Sequence, residues 1–289
     1  MDAVVECVWP LAAVLGEGPM WSAADGLLWF VDIKGNRIHS FDDATGGTRS
    51  FVTPEYSAFV FCDARGGLLC GLRSGLYHFD PGSNRFDLIV KVDTAFPDNR
   101  LNDGYVDAQG HLWFGTMDNQ ESEPTGSLYR FARNRLELMD AGYVITNGPA
   151  MSPDGRVLYH VDTGRRCVFA FDVDQAGALS GKRVLLQLNE QHTYPDGPCV
   201  DSAGNVWVAM FGGWGVRCYS PRGKLLRTID LPVAQCTKVA FGGPDLRTLY
   251  ITTATVGLPD AQRVQQPLAG GLFRTRVDTA GLPTNEFAG

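Results

Sequence analysis

The sequence predicts an all-β fold, a six-bladed β-propeller, on three observations. Six segments of the 289-residue chain share one order of features: a short apolar strand, a turn with Asp, Pro or Gly, a strand rich in Leu, Trp or Tyr, and a strand with an aromatic residue near its end. The segments recur every roughly 40 to 50 residues, the length of a four-stranded propeller blade. The strands LLWFVDI, HLWFGTM and NVWVAMF also carry β-branched and aromatic residues directly after a Gly turn.

The repeated turns are the strongest of these signals. They fall near Asp25, Asp63, Asp107, Asp154, Asp201 and Asp245. A β-sandwich is the alternative, because closely spaced strands occur there too. A sandwich gives no reason for the same order of features to recur, whereas blades that pack on one another do. We therefore expect a single domain over residues 1–289, with the strand around Val4 to Leu11 joining the last blade to close the ring.

Composition and charge exclude several classes of protein. The chain has 25 Lys and Arg against 32 Asp and Glu, a formal charge of −7, which disfavours binding to nucleic acid or anionic lipid. Its seven cysteines form no C-x-x-C pair and are interpreted as reduced, buried thiols. No apolar run reaches about 18 residues, and MDAVVECVWPL lacks the basic start of a signal peptide. We expect a cytoplasmic protein without nucleic-acid or membrane partners.

The channel entrance is where the predicted fold concentrates polar side chains. In a propeller the first strand of each blade lines the central channel, so residues from different blades converge there. The six entrance positions are Glu17, Ser57, Asn102, Asn147, Asp196 and Thr237. They include no Lys or His to neutralise the two carboxylates, which predicts a bound cation.

Glu17, Asn147 and Asp196 are the predicted metal ligands. Glu17 lies between two glycines, where it has no role as a turn former, while Asp103-Gly104 is interpreted as an ordinary turn. Oxygen ligands favour hard divalent ions such as calcium, magnesium or manganese. His192 precedes Asp196 by four residues, which places it near the channel mouth.

Competing catalytic motifs are absent from the sequence. It contains no G-x-S-x-G elbow, no H-E-x-x-H helix, no phosphate-binding G-x-x-x-x-G-K-[ST] loop and no G-x-G-x-x-G after a strand. These absences argue against a serine hydrolase, a zinc protease, a nucleotide hydrolase and a dinucleotide-dependent oxidoreductase.

Four motifs resemble those of the regucalcin-like family of senescence marker protein and gluconolactonase. They are GEGPMW, RLNDGYVDAQGHLWFGTM, TNGPAMSPDGRVLYHVDT and PDGPCVDSAGNVWVAMFGGWGV. The resemblance covers essentially the whole chain, and it is nearest to bacterial lactonases that open pentonolactones or hexonolactones. It implies one divalent metal on the propeller axis, held at Glu17, Asn147 and Asp196. The identity of the metal stays open among calcium, magnesium, manganese, zinc and iron(II).

The resemblance also implies a substrate site. Arg100 and Asn102 match family positions that contact the ring oxygens or hydroxyls of the substrate. Animal members of the family carry an acid three residues after the GTM motif, where this chain has Gln120. Gln120 is therefore assigned to the substrate site, and a specificity different from that of the animal members is expected.

These residues predict a metal-dependent hydrolase that opens aldonolactones to aldonic acids. The metal would polarise the carbonyl, and Asp196, preferred over Glu17, would act as general base. Arg100 would bind substrate oxygens and the carboxylate that forms. One alternative is a calcium-binding regulatory or scaffold propeller without lactonase turnover; another is a hydrolase that acts on a different ester.

Aromatic side chains and two inserts are further candidates near the channel. Tyr143, Tyr194, Phe211 and Trp214 are predicted either to stack on a sugar ring or to pack between blades. The polar inserts at 118–127 and 258–270 are predicted to form rims or a lid over the channel.

Overall fold

The computed structural model describes residues 4–289, which fold into β-strands and one short helix. The strands are β1 (Glu6–Trp9), β2 (Gly16–Ser22), β3 (Leu27–Asp32), β4 (Arg37–Asp42), β5 (Thr48–Val52), β6 (Ser57–Cys62), β7 (Leu68–Leu72), β8 (Gly75–Asp80), β9 (Arg85–Lys91), β10 (Asn99–Val106), β11 (Leu112–Asp118), β12 (Gly126–Ala132), β13 (Arg135–Tyr143), β14 (Thr146–Met151), β15 (Val157–Asp162), β16 (Cys167–Val173), β17 (Leu179–Gln187), β18 (Tyr194–Val200), β19 (Val206–Phe211), β20 (Gly215–Tyr219), β21 (Leu225–Asp230), β22 (Cys236–Gly242), β23 (Thr248–Thr253) and β24 (Leu272–Arg276). The helix α1 (Asp260–Gln265) lies between β23 and β24.

The strands form a propeller-like arrangement of five sheets. Four sheets have four strands each: β2–β5, β6–β9, β10–β13 and β14–β17. The remaining strands form one eight-stranded sheet in the order β1-β24-β23-β22-β18-β19-β20-β21. The prediction of six blades is therefore wrong, because four separate four-stranded blades are present and the other strands are hydrogen-bonded into a single sheet.

A parallel pairing of β18 with β22 joins the eight-stranded sheet in its middle. The pairing sets Gly197 opposite Lys238, which is the contact that links the two groups of antiparallel strands. A Cβ atom at Gly197 would lie 2.5 Å from Cγ of Lys238, so the absence of a side chain at Gly197 makes room for the Lys238 side chain. The repeat in the sequence gives no sign of this close approach.

The first strand closes the arrangement as the sequence predicts. β1 pairs antiparallel with β24, with Glu6 opposite Arg274 and Cys7 opposite Phe273. This confirms the expected role of the N-terminal strand, whose pairing leaves β24 with partners on both sides.

Six innermost strands surround the central channel and carry the predicted site. Around the ring β2 contacts β6, β6 contacts β10, β10 contacts β14, β14 contacts β18, β18 contacts β22, and β22 contacts β2. The pairing of each innermost strand with the next strand of its sheet is interrupted by a β-bulge or irregularity. Bulges re-aim side chains, and in this fold they occur at the channel positions.

The repeated Asp turns hold the blades together internally. In two sheets the turn carboxylate accepts a hydrogen bond from the indole six residues later: Trp113 Nε1 donates to Asp107 Oδ2 at 2.8 Å, and Trp207 Nε1 donates to Asp201 Oδ2 at 3.0 Å. Both Trp side chains are buried. The repeat is therefore a packing motif, in which a buried acceptor satisfies a buried indole N–H.

The C-terminal segment, residues 278–289, crosses the end of the channel away from the predicted site. Gly281 pairs with Asp201 and Phe287 with Asp63, in different sheets. Asn285 Nδ2 donates to the carbonyl of Val106 at 3.0 Å. Phe287 is fully buried. The segment thus ties three sheets together beneath the channel.

All seven cysteines are free, and four of them are buried while Cys7, Cys62 and Cys199 are half-buried. Burial raises the pKa of Cys70 well above its usual value, so its thiol stays protonated. Among residues 4–289 no helix has the length and apolar character needed to cross a membrane.

Candidate active site

A central cavity of about 270 Å³ opens where the innermost strands begin. It is lined by Leu15, Glu17, Lys34, Arg100, Asn102, Glu121, Ile145, Asn147, Thr163, Tyr194, Asp196, Phe211, Val256 and Gly257. Its size lies just below the range of about 300–1,000 Å³ typical of sites for drug-sized ligands. The cavity therefore suits a single small ring.

The three predicted metal ligands reach this cavity from three different sheets. Glu17 of β2 is 3% exposed, Asn147 of β14 is 3% exposed and Asp196 of β18 is 6% exposed. Each lies at the interruption of its innermost strand. The glycine after Asn147 has a φ of 76°, a left-handed conformation that favours Gly. The structure brings together the residues that the sequence pattern grouped.

Burial and neighbouring negative charge disfavour the ionised form of Glu17 and of Asp196. Burial, and after it the charge of Asp103, raises the pKa of Glu17 to about 8. Burial, followed by the charges of Glu17 and Asp103, raises the pKa of Asp196 well above its usual value. Asp196 Oδ1 is buried and has no hydrogen-bond partner in the part of the chain that the structure describes. A cation near these oxygens would relieve both effects.

A chain of amide and hydroxyl hydrogen bonds fixes the neutral side of the cavity. Asn102 Nδ2 donates to Asn147 Oδ1 at 3.0 Å and to the carbonyl of Thr146 at 2.6 Å. Asn147 Nδ2 donates to Thr163 Oγ1 at 2.9 Å, and that hydroxyl donates to the carbonyl of Pro195 at 2.7 Å. These bonds orient the Asn147 amide with its oxygen towards Asn102 and its Nδ2 towards Thr163.

Arg100 and Asn102, the residues assigned to the substrate site, line the cavity. The Arg100 guanidinium is 2% exposed and donates from Nη1 to Asn102 Oδ1 and, at 3.2 Å, to the carbonyl of Leu101. Its Nε is buried and unpartnered among residues 4–289. Arg100 Nη2 also lies 3.8 Å from Glu121 Oε1. The guanidinium is thus held in place with donor capacity to spare.

Gln120 does not reach the cavity, and its neighbour Glu121 does. Gln120 is exposed and is not among the cavity-lining residues. Glu121 has a φ of 61°, which turns the backbone so that its carboxylate lies 3.6 Å from Lys34 Nζ as well as near Arg100. The assignment of Gln120 to the substrate site is therefore not supported by its position. Glu121 lies within the insert 118–127 that was predicted to form a rim or lid, but neither its side chain nor that of Lys34 was predicted to line the cavity. Both residues lie on turns whose course the strand pattern leaves open.

A buried ion pair lies beneath the cavity, and sequence reasoning missed it. Lys238 Nζ contacts Asp103 Oδ1 and the carbonyl of Gly104. Asp103 is fully buried, and its Oδ2 accepts a hydrogen bond from the Gly148 N–H at 2.6 Å. The expectation that no lysine would be present was wrong, because the interruption of β22 turns Lys238 inward. The interpretation of Asp103-Gly104 as an ordinary turn was also wrong, because both residues lie within β10.

The remaining candidates separate into two groups. Tyr194 and Phe211 line the central cavity, and Trp214 lies beside it with 47% of its surface exposed. Tyr143 is instead fully buried and packs edge-on against His160 at 4.7 Å between ring centroids. His192 is exposed and lies outside the lining of the central cavity.

The residue types that most often ligate metals do not gather into a cluster of their own. Among residues 4–289, no three or more His, Cys, Asp and Glu side chains lie together in a way that could hold an ion. The predicted ligand set is of a different kind, because it combines two carboxylates with the amide oxygen of Asn147. That these three oxygens bind a metal stays a prediction.

The chain has a propeller-like fold with a polar cavity among its innermost strands. Residues 15–255 match the family model described as SMP-30/Gluconolactonase/LRE-like region, and the chain belongs to this family. The resemblance inferred from the sequence motifs is thereby confirmed.

Relatives and solved structures agree with this membership over the full length of the chain. The chain is 35% identical to 6-deoxy-6-sulfogluconolactonase of Pseudomonas putida, with 100% of both chains covered. It is 32% identical to regucalcin of Xenopus laevis, covering 99% of this chain and 98% of that one. The crystal structure of a calcium-binding protein, regucalcin, from Agrobacterium tumefaciens matches with a TM-score of 0.95 at 26% identity, covering 99% of this chain and 98% of that chain.

Proposed function

We propose that the protein is a hydrolase that opens sugar lactones to aldonic acids in the central cavity. A sugar lactone is a cyclic ester with several hydroxyl groups, and the cavity offers donors, acceptors and carboxylates within a space suited to one ring. The name of the Pseudomonas putida relative, a lactonase of a sugar derivative, supports the same reaction class for this chain.

We also propose that Glu17, Asn147 and Asp196 hold one divalent cation. The fit rests on the unpartnered Asp196 Oδ1, on the raised pKa of both carboxyls and on an all-oxygen donor set, which suits a hard dication. The calcium-binding name of the Agrobacterium tumefaciens protein supports a dication of this type. When bound, such an ion would polarise the lactone carbonyl and stabilise the negative charge that develops on its oxygen.

The remaining chemistry is assigned to side chains of the chain itself. The Asp196 carboxylate is also proposed to accept a proton from the attacking water. The water oxygen bonds to the carbonyl carbon, the bond from that carbon to the ring oxygen breaks, and the proton passes to the ring oxygen, which becomes a hydroxyl. Arg100 and Asn102 orient the substrate through hydrogen bonds, and the free Nε of Arg100 supplies an additional donor.

The observation that carries the proposal is the meeting of Glu17, Asn147 and Asp196 in one cavity with an unsatisfied carboxylate oxygen. Opening a lactone at neutral pH releases a proton, so turnover can be followed in a pH-stat. Metal-stripped protein should show no opening of glucono-1,5-lactone or galactono-1,4-lactone above the spontaneous rate. Reloading with calcium, magnesium, manganese, zinc or iron(II), each alone, should restore turnover with at least one ion.

Asp196→Asn provides the residue-level test. The variant should lower kcat by roughly 10²–10⁴-fold while it keeps its fold, because it removes the proton acceptor. Asp154→Asn is the matched control, since Asp154 lies on an exposed outer turn and accepts from Ser152. A reloaded wild-type protein that binds the ion but opens no lactone would refute the hydrolase and favour the regulatory calcium-binding alternative.

A further inference from the structure

A groove of about 450 Å³ adjoins the central cavity, and we call it the aromatic groove. Tyr194 and Phe211 line both spaces, so a molecule that reaches past these two side chains would occupy both. Trp214, Gln235, Gln262 and Gln265 supply the other side chains on which recognition in the groove would depend. The groove is larger than the cavity it adjoins.

Trp214 presents an open aromatic face at this groove. Its side chain is 47% exposed, and none of the ring pairs among residues 4–289 includes it. The backbone around it is nevertheless fixed, because its N–H donates to Ala234 and its carbonyl accepts from Leu231 at 2.8 Å. A large exposed indole that stacks on no other described ring offers a surface for stacking.

Gln235 supplies an unsatisfied polar atom in the same place. It is 8% exposed, and its Oε1 is buried without a hydrogen-bond partner among the described residues. Its Nε2 is only 3.5 Å from the carbonyl of Val256, at the outer limit of a hydrogen bond. Buried acceptors are normally paired, so a hydroxyl donor of a ligand would complete this site.

The opposite wall of the groove is formed by amides of the helix α1. Gln262 and Gln265 are exposed and line the groove, each offering one acceptor and two donor hydrogens. The groove-lining residues of the described chain include His192 but no Asp, Glu, Lys or Arg. The groove therefore suits an uncharged ligand rich in hydroxyls, unlike the central cavity with its charged side chains.

We infer that the aromatic groove binds a second, uncharged sugar ring that is glycosidically attached to the lactone in the central cavity. The apolar face of a pyranose ring would stack on Trp214 while its hydroxyls pair with Gln235 and the glutamines of α1. The substrates would then include glycosylated aldonolactones, the oxidised forms of disaccharides. This inference rests on the proposed lactonase function and adds the class of substrate.

Kinetics with matched lactones test the inference. Glucono-1,5-lactone carries one ring, whereas cellobionolactone, maltobionolactone and melibionolactone carry a second ring through different linkages. Wild-type protein should give a lower KM for at least one of the three than for gluconolactone. Trp214→Ala should raise that KM about fivefold to tenfold, and it should leave kcat/KM for gluconolactone within about twofold.

Two further variants separate recognition from folding. Trp214→Phe should restore most of the lost affinity, because it keeps an aromatic face, and Gln235→Met should raise the KM of the same two-ring lactone only. Val264→Ala is the control, since Val264 is on the same helix, is 82% exposed and does not line the groove. If no two-ring lactone is preferred, or if Trp214→Ala affects one-ring and two-ring lactones equally, the inference is overturned.

A binding measurement distinguishes failure of the groove from failure of the reaction. Tryptophan emission of metal-free protein should change on titration with cellobiose, maltose or melibiose, because Trp214 is the most exposed of the described indoles. The change should be absent in Trp214→Phe. A disaccharide-dependent change without any lactone turnover would refute the lactonase but keep the groove as a sugar site. Turnover of gluconolactone without any disaccharide effect would refute the groove alone.

Discussion

Replacing Lys238 by Met tests the ion pair that lies under the central cavity. Lys238 is 6% exposed and Asp103 is fully buried. Removal of the ammonium would leave the Asp103 carboxylate as an uncompensated charge near Glu17 and Asp196, whose pKa values it already raises. Met fills a similar volume, so the change removes charge with little loss of packing.

The expected loss of stability depends on the hydrogen bonds that Asp103 keeps when the ammonium is removed. Breaking a buried ion pair by removing one partner costs about 3–5 kcal/mol. Asp103 would still accept hydrogen bonds from the N–H groups of Gly104 at 2.7 Å and Gly148 at 2.6 Å. These two bonds place the expected loss at the lower end, about 3 kcal/mol, which corresponds to a fall in Tm of roughly 6 °C in a chain of this size.

Thermal and urea unfolding of metal-free protein would measure this loss. The double variant Asp103→Asn with Lys238→Met should lose less stability than the sum of the two single variants, with a coupling of about 0.5–3 kcal/mol. Lys34→Met is the matched control, because Lys34 also lines the cavity but its side chain is 28% exposed and its partner Glu121 is 42% exposed. Such exposed pairs contribute only about 0–1 kcal/mol.

Either of two results would show that Asp103 and Lys238 do not stabilise the fold as a pair. The first is a Lys238→Met protein that melts within about 1 °C of the wild type. The second is a double variant whose loss equals the sum of the single losses, since independent effects would mean that Asp103 and Lys238 do not compensate each other.

Two further predictions concern pH and the cavity rim. Folding raises the pKa of Glu17 to about 8 from its usual 4.5, so as pH rises the unfolded chain releases this proton before the folded chain does. The free energy of unfolding of metal-free protein should therefore fall as pH rises from about 6.5 to about 8. Below pH 6.5 the lowered pKa values of His39 and His160 have the opposite effect, because they make the free energy of unfolding rise with pH. Glu121→Gln should raise the KM for lactones about threefold to tenfold by freeing Arg100 and Lys34, whereas Gln120→Ala should change it less than about twofold.

Each of these predictions has its own control. Glu17→Gln should flatten the pH dependence of unfolding between about 6.5 and 8, and added dication should reverse its sign in the wild type because the metal binds the deprotonated carboxylate. Stability that rises over this pH range without metal would contradict the raised pKa of Glu17. If Gln120→Ala changed KM more than Glu121→Gln did, Gln120 and not Glu121 would be the residue that contacts the substrate.

The repeat in the sequence was sufficient to place the innermost strands and their first polar residues. The length of the repeat and its Asp turns locate each innermost strand, so the sequence alone groups Glu17, Asn147 and Asp196. The same pattern could not show that four blades are separate and that the other strands share one sheet. That outcome depends on how closely β22 approaches Gly197, which is a matter of packing between repeats.

The missed residues share a different physical cause. A side chain changes face when an extra residue interrupts a strand, and the sequence does not mark where Asp103 and Lys238 are turned inward by such interruptions. Glu121 was missed for a related reason, because its left-handed backbone conformation reverses which of two neighbouring residues faces the cavity. Loop and bulge geometry, rather than residue type, decides these positions.

The C-terminal segment fills much of the space at the far end of the channel. Leu282, Pro283, Thr284 and Asn285 line a chamber of about 100 Å³ there, and Lys238 of the buried ion pair lines it too. We therefore expect an aldonate formed in the central cavity to leave on the side where its parent lactone enters. Accumulating acid would then compete with incoming lactone and inhibit turnover.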